Sequence, residues 1–112
     1  MLETTSSARI VMTTVVGPDE AARLGRTLVE ERLVACATLI PAIHSIYRWQ
    51  GQIESSVETL LFLKTESDRL SALEARLLEL HSYETPEFLV LSIESGSHSY
   101  LEWLQASLRE GS

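Results

Sequence analysis

Cysteine is almost missing from this chain: Cys36 is the only one in 112 residues. No intrachain disulfide can form and no CxxC or zinc-type spacing exists, which fits a reducing compartment. No apolar stretch approaches the ~20 residues needed to span a bilayer, and the first eight residues lack the basic and apolar regions of a secretory signal. A cytoplasmic protein is the expectation. Basic residues are scarce too, with 9 Lys and Arg against 16 Asp and Glu and a net charge of −7. Nucleic-acid binding wants a basic stripe that displaces phosphate counterions, so this balance argues against it, and against an anionic membrane surface. There is no P-loop, no GxGxxG turn and no Ser-His-Asp ordering. Strand alternation puts Glu54 and Glu58 on one face with Ser56 between them, so no close carboxylate dyad is implied. The expectation is a binding protein, not an enzyme.

What remains is ordinary globular material. The length allows one domain and not two, and neither a repeat nor a linker divides it. Residues 8–110 are expected to form that domain, with 1–7 as a flexible N-terminus. Ala8 to Val16 is β-branched and apolar and reads as a buried strand. Gly17-Pro18-Asp19-Glu20 reads as a helix start, because proline suits the first helical position and acids suit the positive end of the dipole. Ala21, Leu24, Gly25, Leu28 and Val29 then recur at helical spacing. Leu33 to Trp49 returns to strand character, interrupted by Pro41, which cannot donate to a ladder and marks an edge or a bulge. Gln50-Gly51 predicts a turn, followed by a strand over Ile53–Lys64, where Val57, Thr59, Leu61 and Leu63 alternate against Glu58, Leu60, Phe62 and Lys64. Leu70, Leu73, Leu77 and Leu80 make the stripe of a second helix behind capping oxygens at 65–68. A loop over His81–Pro86, a strand over Glu87–Ile93, a break at Gly96 and a closing helix around Tyr100, Trp103, Leu104 and Leu108 complete the chain.

The order β-α-β-β-α-β-α contains the split βαβ pattern of a ferredoxin-like α/β (α+β) domain, with an extra C-terminal helix. Helices then cover one sheet face and leave the other in need of a partner. Strands usually run about 5–6 residues, yet each arm of the hairpin at Gln50-Gly51 can reach roughly a dozen. Such a hairpin overhangs a small domain, and Leu39, Ile40, Ile43, Ile46, Tyr47 and Trp49 are poor residues to leave wet. Assembly with further copies of the chain is expected.

Several side chains carry both a bland and a functional reading. Cys36, between alanines in a strand, is either a small core residue or a soft metal ligand. His81, near Glu84 and Glu87, either terminates the second helix or offers an imidazole to copper or zinc. His44 and His98 read as surface residues. Lys64 ends an apolar strand, where it either snorkels from the sheet edge or contacts an anion or Glu87. Tyr47, Trp49, Tyr83 and Trp103 offer apolar walls with polar tips, as suited to an oligomer interface as to a ligand cleft.

Ala35-Cys36-Ala37-Thr38-Leu39-Ile40-Pro41, the stretch Ser45–Glu54, Leu63-Lys64-Thr65, the stretch His81–Glu87 and Tyr100-Leu101-Glu102-Trp103-Leu104 follow one another between residues 8 and 109. Together they resemble the CutA divalent-cation tolerance family. The resemblance implies a ferredoxin-like homotrimer whose long hairpins form intersubunit sheets, with clefts between subunits. It also implies a role in the response to divalent metal ions. On that basis Cys36, His81 and Glu87 are candidate donors to copper or another divalent cation, and Tyr47, Trp49, Lys64, Tyr83, Glu87 and Trp103 are candidate cleft residues. Two departures stand out. Val15 lies about where some members of the family have a cysteine, so no copper site can rely on that thiol. His81 is single where some relatives carry two histidines. An alternative of another class is a small-molecule sensor analogous to the PII signalling trimers, holding an anionic metabolite between subunits through Lys64 and the aromatic residues; that analogy is one of fold alone.

Overall fold

Gly17 is extended at the N-cap of the first helix, Pro18 fills the first helical position, and Asp19 and Glu20 occupy the first turn. In the computed structural model, which describes residues 1–109, this helix, α1, runs Pro18–Glu30. It stops as Arg32 enters the left-handed region at φ 58°. Around it lie β1 (Leu2–Thr4), β2 (Ala8–Val15), β3 (Cys36–Trp49), β4 (Gln52–Glu66), α2 (Leu70–Leu80, led in by a 3-10 turn over Ser67–Arg69), β5 (Leu89–Ser92), β6 (Ser95–Ser97) and α3 (His98–Ser107).

The main sheet has the order β3-β4-β2-β5, antiparallel throughout, with β4 inserted between β2 and β3. This is the split βαβ arrangement the sequence predicts. One face carries α1 and α2: Val11, Val15, Leu61 and Leu63 from the strands meet Leu24, Leu28, Leu73 and Leu77 from the helices in the core. β4 alternates as expected over Thr59, Leu61, Leu63 and Thr65, all buried. Val57, which alternation places in the same row, is 55% exposed. β2 ends at the pair Val15↔Thr59, so the first seven residues of β4 pair with β3 alone and lie outside the helix layer.

That outer half is the predicted overhanging hairpin. Gln50 and Gly51 both have positive φ, 50° and 80°, which makes the two-residue turn of type I′ whose twist matches the strands. Pairing slips between Ile40↔Leu60 and Ile43↔Glu58, so Pro41 and Ala42 bulge opposite Thr59. Proline has no N–H to lose there, and Ala42 takes the left-handed conformation at φ 61° that such a bulge requires. The hairpin stretches the molecule to 47 × 26 × 23 Å. Its radius of gyration of 14.9 Å exceeds the ~13 Å of a compact chain this long.

The second sheet face is mostly bare. Register places Ile10, Met12, Phe62, Leu89 and Leu91 on it, beside Cys36, Thr38 and Lys64. α3 shields only one end of the sheet, where Leu104 and Leu108 pack with Ala35. No helix among the described residues is long and apolar enough to cross a membrane. The first seven residues, expected to be a flexible terminus, carry β1, which pairs with β6 from Leu2↔Ser97 to Thr4↔Ser95. Gly96, expected as a break, is part of that small sheet. A Cβ on it would stand 3.3 Å from Leu101.

Two local contacts in this packing bear on stability. A Cβ at Gly25 would lie 3.0 Å from that of Ala37, because α1 crosses β3 closely there. Alanine normally gains about 1 kcal/mol over glycine inside a helix, but overpacking against a rigid strand costs roughly 1–3 kcal/mol. Gly25→Ala should therefore lower stability by about 1 kcal/mol in urea unfolding, and Ala37→Gly in the same chain should recover part of the loss. The second concerns β1. His98 holds the Glu3 carboxylate at 2.9 Å and approaches Glu102 at 3.5 Å. The hydrogen bond to Glu3, then the charges of Glu3 and Glu102, raise its pKa above the usual value. A raised histidine pKa supports the clasp fully below about pH 6.5 and loses it as pH climbs through the folded-state value. Amide exchange in β1, corrected for intrinsic rates, should accelerate across that range in the parent and stay flat in His98→Gln.

Candidate functional site

The segment between α2 and β5 is tied down by a histidine. α2 ends with the backbone N–H of His81 on the Leu77 carbonyl, 2.9 Å. The ring then turns away from its own helix. Its Nδ1 accepts the backbone N–H of Tyr83 at 3.1 Å, which leaves Nε2 as the donor to the Thr14 carbonyl at 2.8 Å. The buried imidazole thus staples the loop to the end of β2, and its ring packs 4.8 Å from that of Tyr83 at 49°. Tyr83 is aimed by this contact, and its hydroxyl donates to Glu58 Oε2 at 2.5 Å.

Glu58 is the residue at which β4 leaves the helix layer, and it is only 7% exposed. Beside it lies a cleft of about 700 Å³, lined by Ser45, Tyr47 and Trp49 of β3, by Glu58, and by Tyr83 and Glu87 of the loop among others. Burial raises the Glu87 carboxyl above the ordinary carboxylate range, and the neighbouring charge of Glu58 adds to it. Burial likewise raises the Tyr83 phenol, followed by its hydrogen bond with Glu58. The two acids are therefore close enough to feel one another, although no such pairing is implied by their separation in the sequence. Among the described residues no Lys, Arg or His lines this cleft.

Of the six cleft residues predicted from the sequence, Tyr47, Trp49, Tyr83 and Glu87 come together here. Lys64 and Trp103 lie elsewhere. The Lys64 ammonium donates to the Tyr100 hydroxyl at 3.3 Å and lies 5.6 Å from the centre of its ring. Tyr100 in turn sits 5.4 Å from Trp103. Lys64 therefore meets an aromatic pair on the bare sheet face, and not Glu87. Glu58 is the buried cleft residue that sequence reasoning did not place among the cleft candidates; the only signal was an acid in a strand whose same-face neighbours, Leu60 and Phe62, are apolar.

The proposed metal donors are not assembled within the chain. Cys36 pairs with Lys64 in the sheet register and lies 3.6 Å from the Thr38 hydroxyl. His81 has both ring nitrogens committed to backbone groups. Glu87 lines the cleft. Among the described residues no three His, Cys, Asp or Glu side chains come together to hold an ion.

Replacing Glu58 by Gln removes the like charge that helps to raise Glu87 but leaves its burial. The Glu87 titration, followed by carboxyl NMR, should shift down toward the ordinary carboxylate range without fully reaching it. No shift would mean that the two acids do not interact.

Comparison with known proteins matches this architecture. Residues 9–107 fit the family described as CutA1 divalent ion tolerance protein. The chain is similar to the divalent-cation tolerance protein CutA of Pectobacterium atrosepticum, 44% identical over 82% of this chain and 86% of that one. It is also similar to the rice protein CutA 1, chloroplastic, with 37% identity over 96% of this chain and 60% of that one. The structure of CutA from Synechococcus elongatus superimposes with a TM-score of 0.94 at 39% identity, covering 97% of this chain and 96% of that one. On sequence and fold together, the chain belongs to the CutA1 divalent ion tolerance family.

Proposed function

We propose that the protein works as a homotrimeric binding protein in the tolerance of divalent metal ions, acting through the assembled trimer and not through a metal centre preformed in one subunit. One observation carries the reading. A single chain leaves an apolar sheet face bare and projects a hairpin whose Ile46, Ile53 and Val57 are 76%, 62% and 55% exposed. An apolar surface of that kind, with an unpaired strand edge beside it, is what copies of one chain cover for each other. The number three follows from the family resemblance. Relatives' names place them in a plastid as well as in bacteria, and a cytoplasmic setting for this chain is part of the proposal.

Direct copper binding, in this reading, draws donors from more than one subunit. Cys36 is the best placed of the predicted donors because it faces the bare side of the sheet. His81 is the worst placed, because its nitrogens are already occupied by the backbone. A sensor that holds an anionic metabolite through Lys64 finds less support, since the cleft with the aromatic walls contains acids and Lys64 lies outside it.

Sedimentation equilibrium at micromolar protein should report about three times the 12.5 kDa of the chain. Phe62→Glu, which puts a charge into the middle of the bare face, should give a folded monomer or an unfolded chain. A folded 12.5 kDa parent, or a folded monomeric Phe62→Glu variant that still binds one copper ion stoichiometrically, would contradict the proposal.

A further inference from the structure

We infer that the cavity between the ends of α1 and α3 and the start of α2 binds a phosphate group, held by Arg32, Arg69 and Arg109. The site goes beyond the metal-tolerance reading and does not depend on it. It lies at the opposite end of the β3–β4 ladder from the hairpin: Leu33 precedes β3 and Asp68 follows β4, whereas the Gln50-Gly51 turn joins their other ends. Helix ends enclose it, and the surfaces that the assembly is proposed to cover, the hairpin and the bare sheet face, lie elsewhere.

The charge of the lining points to an anion. Three of the chain's nine Lys and Arg residues line this one cavity of about 520 Å³, in a chain whose net charge is −7. Two acids line it as well. Glu31 accepts from Arg76 on both carboxylate oxygens, at 2.9 and 2.8 Å, so a cation outside the lining already matches it. Asp68 is exposed. Among the described residues the lining is thus net positive.

The geometry of the arginines points the same way. Arg32 stands just past Glu31, the C-cap of α1, at φ 58°. Helices commonly end on glycine at that position, because a Cβ is strained there. A side chain kept in a strained conformation has a task to perform. Part of the task is visible: Arg32 Nη1 donates to the Ser107 carbonyl at 2.9 Å and Arg69 Nη2 to the Leu108 carbonyl at 2.6 Å, which gathers both guanidiniums at the end of α3. A carbonyl takes an N–H without cancelling a full charge, and a guanidinium offers five such donors. Arg69 Nε is buried and has no hydrogen-bond partner among the described residues. An orphaned donor beside a cationic cavity calls for an acceptor that these residues do not supply.

Phosphate suits the arrangement better than other anions. Its tetrahedral oxygens meet guanidiniums that arrive from three different segments, whereas a carboxylate presents two oxygens in one plane. The cavity also has room for the organic part of a small phosphate ester. A divalent cation is repelled by the same arginines.

The test is calorimetric titration of the assembled full-length protein near pH 7.5, where phosphate is mainly dianionic, with inorganic phosphate, glycerol 3-phosphate, glycerol and acetate. Both phosphates should bind, and tighter binding of the ester or of the free ion identifies the source of the group. Glycerol and acetate should bind about tenfold more weakly or worse. Arg69→Gln and Arg109→Gln should each weaken both phosphates by about tenfold or more, as loss of a charged donor implies. Arg23→Gln, on the exposed side of α1, should leave them unchanged. Because Arg69→Gln also releases the Leu108 carbonyl, Arg32→Gly is the second variant: glycine is at home at φ 58°, so circular dichroism should show the fold kept while phosphate binding falls. Acetate binding as tightly as inorganic phosphate would overturn the inference. So would phosphate binding indifferent to all three substitutions, or neither heat nor thermal stabilisation from either phosphate at millimolar concentration. Sedimentation of the same samples reports the assembly, so failure of the phosphate site and failure of the trimer are told apart.

Discussion

Beyond the pair Val15↔Thr59, β4 has a neighbour on one side only. Its inner half is the central strand of a sheet backed by two helices, and its outer half is one arm of a ribbon with nothing behind it. The physical demands on the two halves are opposite. Inside, Leu61 and Leu63 are sealed from water. Outside, Ile53 and Val57 are exposed on a strand with an unpaired edge, which a soluble chain tolerates only where something covers it. The mismatch in length between β2 and β4 is the origin both of the unsatisfied surface and of the cleft, because the cleft lies where the ribbon departs from the body.

Glu58 sits at that point of departure, and a relay of contacts holds it. The Thr14 carbonyl at the end of β2 fixes His81, His81 fixes the backbone and ring of Tyr83, and the Tyr83 hydroxyl meets the carboxylate. Each link joins a different element, so the loop over residues 81–88 is set by the sheet and not by its own turn chemistry. This gives His81 a positioning role. A histidine whose two nitrogens are both engaged by backbone groups is a structural clamp, and its appearance among potential metal ligands in the sequence reflects residue type alone.

The family is defined by tolerance of divalent ions, whereas the geometry within one chain offers an acidic aromatic cleft and no preformed metal centre among the described residues. These are compatible if the site that matters is built on assembly. Cys36, Thr38 and Phe62 face the bare side of the sheet, the surface that the proposed trimer would use to bring residues of several chains together. Lys64 belongs to the same face. Its ammonium, lying against Tyr100, is the chain's single lysine, placed where the sheet ends under α3.

Much of the fold was written in local pattern. Period-two alternation over 59–65, helical spacing over 21–29 and 70–80, the proline at the first position of α1 and the Gln50-Gly51 turn each follow from interactions within a few residues, so the order of the three helices and the four main-sheet strands was legible in the sequence, whereas β1 and β6 were not. The sequence also marked the overhanging hairpin and, through Tyr47, Trp49, Tyr83 and Glu87, four walls of the cleft. What it could not determine is which of those residues meet. That Glu58 lines one cleft with Glu87 and meets Tyr83, that Lys64 turns to Tyr100, and that β1 pairs with β6 across more than ninety residues are relations between distant segments. Only the tertiary structure decides them, because the energy of a buried acid or an ammonium depends on neighbours brought from elsewhere in the chain, and adjacency in sequence contains no information about those neighbours.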